Sequence, residues 1–100
     1  APIITPMESA PVNTQQSSFQ PQPPKQGEEV EANEGGWVSS TPIAYEYQWQ
    51  LNGVDIIGAT AKSLLILVGM VGGALRCVVK AINSIGFTLS ITASVTVVAI

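Results

Sequence analysis

Histidine is absent from this chain, cysteine occurs once, and lysine and arginine together number four in 100 residues. One cysteine excludes an intrachain disulfide. Without histidine there is also no Cys/His zinc site and no His-based catalytic triad. Charged residues make up only 11% of the chain and the net charge is −3, so a basic footprint for phosphate is missing. Lys25, Lys62, Arg76 and Lys80 are too scattered to form a patch, and no nucleic-acid partner is expected. Long apolar runs are scarce too. The one candidate, Ser63 to Leu75, is bounded by Lys62 and Arg76 at about 13 residues, short of the ~20 that a helical span needs. Its clustered Gly69, Gly72 and Gly73 read better as a turn joining two buried strands, and no membrane insertion is expected. The first residues lack a basic region followed by an apolar stretch, so no signal peptide is expected either.

What is present is alternation. Ile43, Tyr45, Tyr47, Trp49 and Leu51 take the odd positions of one segment, and Ala44, Glu46, Gln48 and Gln50 the even ones. A period of two predicts a strand with one buried and one wet face. Asn52-Gly53 follows, two residues that tolerate the positive φ of a type I′ turn, so Val54 to Ile57 should return beside the first strand. Leu75, Cys77, Val79 and Ala81 alternate with Arg76, Val78, Lys80 and Ile82 in the same way. After a turn at Asn83 to Gly86, Phe87, Leu89, Ile91, Ala93, Val95 and Val97 alternate with Thr88, Ser90, Thr92, Ser94 and Thr96. This last run is the most regular, and one continuous strand with its apolar face inward is expected.

The N-terminal quarter has a different composition. Pro2, Pro6, Pro11, Pro21, Pro23 and Pro24 lie before Gly27, leaving only Pro42 beyond it, and runs such as Gln15-Gln16-Ser17-Ser18 intervene. Such a segment favours extended over packed conformations. Two units are expected: an extended Pro/Gln-rich arm over residues 1–15 and a β-domain over 16–100. Gln16 to Gln20 reads either as the end of the arm or as the first strand. Ile3, Ile4, Pro6, Met7 and Val12 are the arm's candidate partner-binding residues, apolar side chains on a backbone kept extended by proline.

Gly27-Glu28-Glu29-Val30-Glu31-Ala32, Gly35-Gly36-Trp37, Pro42, Tyr45-Glu46-Tyr47-Gln48-Trp49, Gly53 and Ile57-Gly58-Ala59-Thr60 follow one another in order. Val71-Gly72, Leu75-Arg76-Cys77-Val78-Val79 and Ala81-Ile82-Asn83-Ser84-Ile85-Gly86 continue the series. The set resembles the immunoglobulin-like repeats of tailed-phage virion proteins and bacterial surface proteins over roughly residues 16 to 98. The resemblance implies an all-β, immunoglobulin-like Greek-key β-sandwich behind an extended N-terminal arm. It makes Trp49 the core tryptophan of the third strand and puts Cys77 on the sixth, with Tyr47, Leu75 and Val79 beside them in the core. Met70 replaces the Asp that many relatives place before the Val-Gly pair, Leu64 or Leu65 replaces an aromatic, and Leu75 stands where true immunoglobulin domains keep a corner tyrosine. A fold that often staples its sheets with a disulfide must rely here on packing, which suits assembly in a reducing cytoplasm.

Several residues admit two readings. Trp37 and Trp49 could stack on sugar rings, but aromatics at period two on a strand are more often core. Cys77 could be a nucleophile, but a lone cysteine at an inward position is more often inert. Glu28, Glu29, Glu31 and Glu34 could attract a cation, but alternation along a strand favours a solvated edge. No cofactor and no catalysis are expected. The resemblance implies a structural virion protein, a decoration or cement module on a phage capsid or tail, whose partners are capsid or other virion proteins and which is assembled in the host cytoplasm. Because the last strand runs to the final residues, anchoring is expected from the arm or a sheet edge. The alternative is a cell-surface adhesion or carbohydrate-binding immunoglobulin-like module of a bacterial protein, with host-surface glycans as ligands.

Overall fold

The computed structural model of the chain describes residues 9–100. These residues are all-β apart from one short 3₁₀ turn at Val68–Met70. In order the strands are β1 (Val12–Gln15), β2 (Ser18–Gln20), β3 (Glu29–Asn33), β4 (Gly36–Val38) and β5 (Ala44–Leu51). They continue as β6 (Val54–Asp55), β7 (Ser63–Leu65), β8 (Ala74–Ile82), β9 (Phe87–Ile91) and β10 (Val95–Thr96). One antiparallel sheet has the order β2-β3-β7, a second has β10-β8-β5-β6 with β9 also on β8, and β1 with β4 forms a two-stranded ribbon. No helix among the described residues is long and apolar enough to cross a membrane.

The expected hairpin is there. Asn52 at φ 54 and Gly53 at φ 79 turn β5 into β6, pairing Leu51 with Val54 and Gln50 with Asp55. Asn52 also accepts from the Ala74 N–H through its side chain and donates its own N–H to the Ala74 carbonyl, which ties the turn to the start of β8. From there β5 and β8 run antiparallel through eight pairs, from Leu51 opposite Leu75 to Ala44 opposite Ile82, with Trp49 opposite Cys77. Strand β8 alternates as its sequence requires: Leu75, Cys77, Val79 and Ala81 are fully buried.

The two larger sheets share one core. Phe19 of β2 and Val30 and Ala32 of β3 meet Trp49, Leu75, Cys77 and Val79 from the other side, with Ile66, Met70 and Val97 closing the ends. Phe19 meets Trp49 edge to face, ring centroids 5.5 Å apart at 73°, a favoured aromatic geometry. The indole N–H of Trp49 donates to the Ala61 carbonyl at 2.9 Å, so its one polar atom is satisfied inside. Tyr45 and Tyr47 pack against this core from partly buried positions. The architecture is β-sandwich-like.

Two expectations meet a different outcome. The run after Asn83-Gly86 is two strands, and its first half faces the wrong way for an apolar-inward reading. Between Ile91 opposite Val78 and Val95 opposite Leu75 the chain takes four steps against three on β8, so one extra residue bulges out near Thr92 to Ser94. A one-residue shift exchanges the faces. With Val95 and Val97 turned inward, Phe87, Leu89 and Ile91 must turn outward, and Ser90 and Thr92 are buried. The second difference concerns the arm. Residues 12–15 are strand β1, paired with β4 through Val12 opposite Val38 and Asn13 opposite Trp37, so the arm boundary drawn after residue 15 cuts behind an element of the fold. The first strand of the three-stranded sheet lies at Ser18–Gln20, inside the expected Gln16 to Gln20.

Candidate docking surface

The inverted parity of β9 leaves an apolar stripe on the surface. Phe87, Leu89 and Ile91 stand on the solvent side at 56%, 50% and 41% exposure, beside Ile82, Lys80 and Val78 of β8 respectively. Burying such a side chain contributes about 1.5 to 3 kcal/mol. Three residues left about half exposed therefore forgo on the order of 3 kcal/mol, which a partner covering them could recover. The Lys80 ammonium lies 4.3 Å from the Phe87 ring centroid, a cation–π contact that holds one end of the stripe.

Beside the stripe the sheet is concave. An open depression of about 240 Å³ lies over β5, β8 and β9, with Glu46, Gln48, Thr60, Val78, Lys80 and Leu89 among the residues lining it. Glu46 is directly opposite Lys80 in the β5–β8 register. The face thus grades from polar over β5 to apolar over β9.

On its inner side β9 is polar and fully bonded. The Ser17 N–H donates to the Ser90 hydroxyl at 3.1 Å, the Ser17 hydroxyl donates to the Ser90 carbonyl at 3.2 Å, and the two hydroxyl oxygens are 2.9 Å apart. The Cys77 N–H donates to the Thr92 hydroxyl at 2.9 Å, Gln16 donates its amide to the Ile91 carbonyl, and the Thr88 hydroxyl donates to the Pro11 carbonyl. Every buried hydroxyl on this strand has a partner, which is what permits it to face the core. The same bonds fasten residues 9–17 alongside β9.

The residues singled out by sequence separate into three places. Trp49, Cys77, Leu75 and Val79 are buried together in the core, and Tyr47 is partly buried against it. Burial pushes the Cys77 thiol up to about 11, an effect only partly offset by a backbone hydrogen bond from Gln48, so it is protonated at neutral pH. Val12 is half exposed in β1, while Ile3, Ile4, Pro6 and Met7 lie outside the described residues. Trp37 is half-buried, and its indole N–H donates to the Glu34 carbonyl at 2.7 Å, so its polar atom is committed to its own turn. Glu29 and Glu31 are exposed on β3 around buried Val30, and Lys62 reaches Glu31 and Glu34 at 3.9 and 3.6 Å through solvent. Among the described residues no three acidic or cysteine side chains converge as a metal site.

Phe87, Leu89 and Ile91 were not recognisable as surface residues in the sequence. Their strand alternates equally well whichever face is buried, and only the hydroxyl partners supplied by Ser17, Pro11 and Cys77 decide between the two. Comparisons of the chain with protein-family models, with curated proteins and with solved structures give no match.

Proposed function

We propose that the chain is an immunoglobulin-like Greek-key module that attaches and displays without catalysis: a structural virion protein of a tailed phage, decorating or cementing the capsid or tail surface and assembled in the host cytoplasm. The strand order supports the fold type. Sheet β2-β3-β7 corresponds to strands A, B and E of an immunoglobulin sandwich, and β6-β5-β8 with β9 and β10 to C′, C, F and G. Trp49 then stands on strand C against Cys77 on strand F. The sequence resemblance to virion repeats supplies the setting, and it is an analogy of fold and motif.

The observation that carries an attachment role is the outward stripe of Phe87, Leu89 and Ile91, an apolar surface that water does not favour and a protein partner would. Its partners are capsid or other virion proteins, with no nucleic acid among them because cations are few. Co-sedimentation with purified tailed-phage particles from the strain that carries the gene is the test. Saturable binding is expected, weakened by Leu89→Glu. Absence of the chain from the pellet at every concentration would sink the reading.

The depression beside the stripe favours a second reading, a carbohydrate-binding module of a bacterial surface protein. Glu46, Gln48 and Lys80 around apolar Val78 and Leu89 offer the donors, acceptors and flat contact that a sugar uses. A glycan array with Glu46→Ala as control separates the two: binding lost in that variant favours the sugar.

A further inference from the structure

The chain has four asparagines, Asn13, Asn33, Asn52 and Asn83, and only Asn52 precedes a glycine. An asparagine side chain is itself an acyl donor, open to attack at Cγ by the backbone nitrogen of the next residue, and a glycine there has no Cβ to hinder the approach. The fold leaves this dipeptide uncovered. Asn52 and Gly53 form the exposed turn between β5 and β6, and a Cβ on Gly53 would meet only the Arg76 Nη2, at 3.9 Å. The Asn52 Oδ1 accepts from the Ala74 N–H at 3.0 Å, which polarises the side-chain carbonyl, while its Nδ2 makes no hydrogen bond among the described residues. Asn83 is the contrast. Its Oδ1 accepts from the Ile85 and Gly86 N–H groups, its Nδ2 donates to the Ser9 carbonyl and the Ser39 hydroxyl, and it is buried.

The same turn opposes the reaction while it stays closed. Ring closure needs Cβ and the Gly53 nitrogen eclipsed about the Asn52 Cα–C bond, whereas a left-handed residue, here at φ 54, holds them apart. Closure also takes Oδ1 off the Ala74 N–H. The returning strand is lightly held: β6 has two residues, Val54, Asp55 and Ile57 are exposed, and Ile56 is its one apolar anchor in the core. Local opening of such a hairpin tip lies at the low end of the free-energy range.

We infer that Asn52 is a deamidation site whose reaction is gated by opening of the β5–β6 turn. The Gly53 nitrogen gives its proton to hydroxide and bonds to the Asn52 Cγ; the Cγ–Nδ2 bond breaks, and Nδ2 takes a proton from water and leaves as ammonia, which regenerates the hydroxide. Water then opens the cyclic imide at one of its two carbonyls. In sum one water is consumed and one ammonia released, with no oxidation. Opening at Cγ leaves an aspartate whose carboxylate still accepts from the Ala74 N–H and adds a negative charge to a turn that Arg76 borders. Opening at the backbone carbonyl leaves isoaspartate, which routes the main chain through Cγ, lengthens a two-residue turn by a methylene and disrupts the pairing of Leu51 with Val54.

Peptide mass mapping of the full-length chain, folded in mildly alkaline buffer or unfolded in concentrated urea at the same pH, tests this. Both samples should show NH2 replaced by OH at position 52, with the folded rate lower by roughly tenfold or more, the factor by which the closed turn outweighs the open one. Asn13, Asn33 and Asn83 should lag behind Asn52 in both. Gly53→Ala, compared in urea so that its folding does not matter, should slow the conversion by roughly tenfold because its Cβ obstructs the attacking nitrogen. A folded rate equal to or above the rate in urea would overturn the gating. An Asn52 that stays unconverted in urea, or converts no faster there than the other three asparagines, would overturn the site. A Gly53→Ala rate equal to the parent's in urea would overturn the route through the Gly53 nitrogen.

Discussion

Ser17 and Ser90 hold their hydroxyl oxygens 2.9 Å apart in the interior, joining the segment before β2 to the C-terminal half of β9. The pair makes the inverted strand tolerable. A buried hydroxyl without a partner costs about 1 to 3 kcal/mol, and here Ser90 lies directly opposite fully buried Val79. The outward apolar stripe and the inward hydroxyls are two faces of one register choice.

Ser90→Ala should therefore cost about 1 to 3 kcal/mol, most of it from stranding the Ser17 N–H, since the Ser17 hydroxyl keeps the Ser90 carbonyl as acceptor. Hydrogen exchange should show the Ser17 amide losing protection ahead of the β8 amides, because that N–H has lost its acceptor. Unchanged urea unfolding together with an unchanged Ser17 amide would contradict the bonded pair.

Trp49→Ala removes the ring that joins the two sheets and should cost about 3 to 5 kcal/mol, a large share of a small domain's stability. Trp49→Phe keeps the contact with Phe19 but leaves the Ala61 carbonyl without its indole donor, and should fall between the parent and the alanine variant. Denaturant midpoints order the three. A Trp49→Ala protein within ~1 kcal/mol of the parent would mean that Trp49 is not the centre of the core.

Cys77 should resist thiol reagents in the folded protein, and it should make stability depend on pH in the alkaline range. Its folded pKa is raised from 9.0 to about 11 by burial, so the folded state keeps a proton that the unfolded state releases. The contribution is complete below pH 9 and is lost as pH rises toward 11, by no more than roughly 3 kcal/mol. Burial also raises Tyr45 and Tyr47, with Glu34 adding to the effect, and these act in the same direction. Cys77→Ala isolates the thiol's share: its urea midpoint should fall less between pH 9 and 11 than the parent's. Equal falls would assign the dependence to the tyrosines.

Two glycines with similar backbone angles should respond differently to alanine. Gly35 has φ +84 and an added Cβ would run into the Gln15 carbonyl of the β1–β4 ribbon, whereas Gly58 has φ +81 and open space around it. Gly58→Ala should cost about 1 kcal/mol for the backbone alone. Gly35→Ala should cost clearly more and displace β1. Thermal melts compare the two, and equal losses would show that the ribbon yields freely.

Local sequence determined much of this architecture. The Tyr45 to Leu51 alternation, the Asn52-Gly53 turn and the Leu75 to Ala81 alternation each carry their own instruction, because turn chemistry and a two-residue period act between neighbours. The inward positions of Trp49 and Cys77 follow from those periods. The facing of Phe87 to Ile91 does not. Both faces of that strand alternate equally, and the choice depends on a one-residue bulge before Val95 and on hydrogen-bond partners drawn from Pro11, Ser17 and Cys77, far away in the chain. The ribbon of β1 with β4 was hidden for the same reason: Val12 to Gln15 is strand because Gly36 to Val38 lies beside it. Periodicity says which residues share a face. Where both faces of a strand could be buried, as in Phe87 to Ile91, tertiary contacts decide between them, because the free energy of burying a hydroxyl is set by the partner it finds.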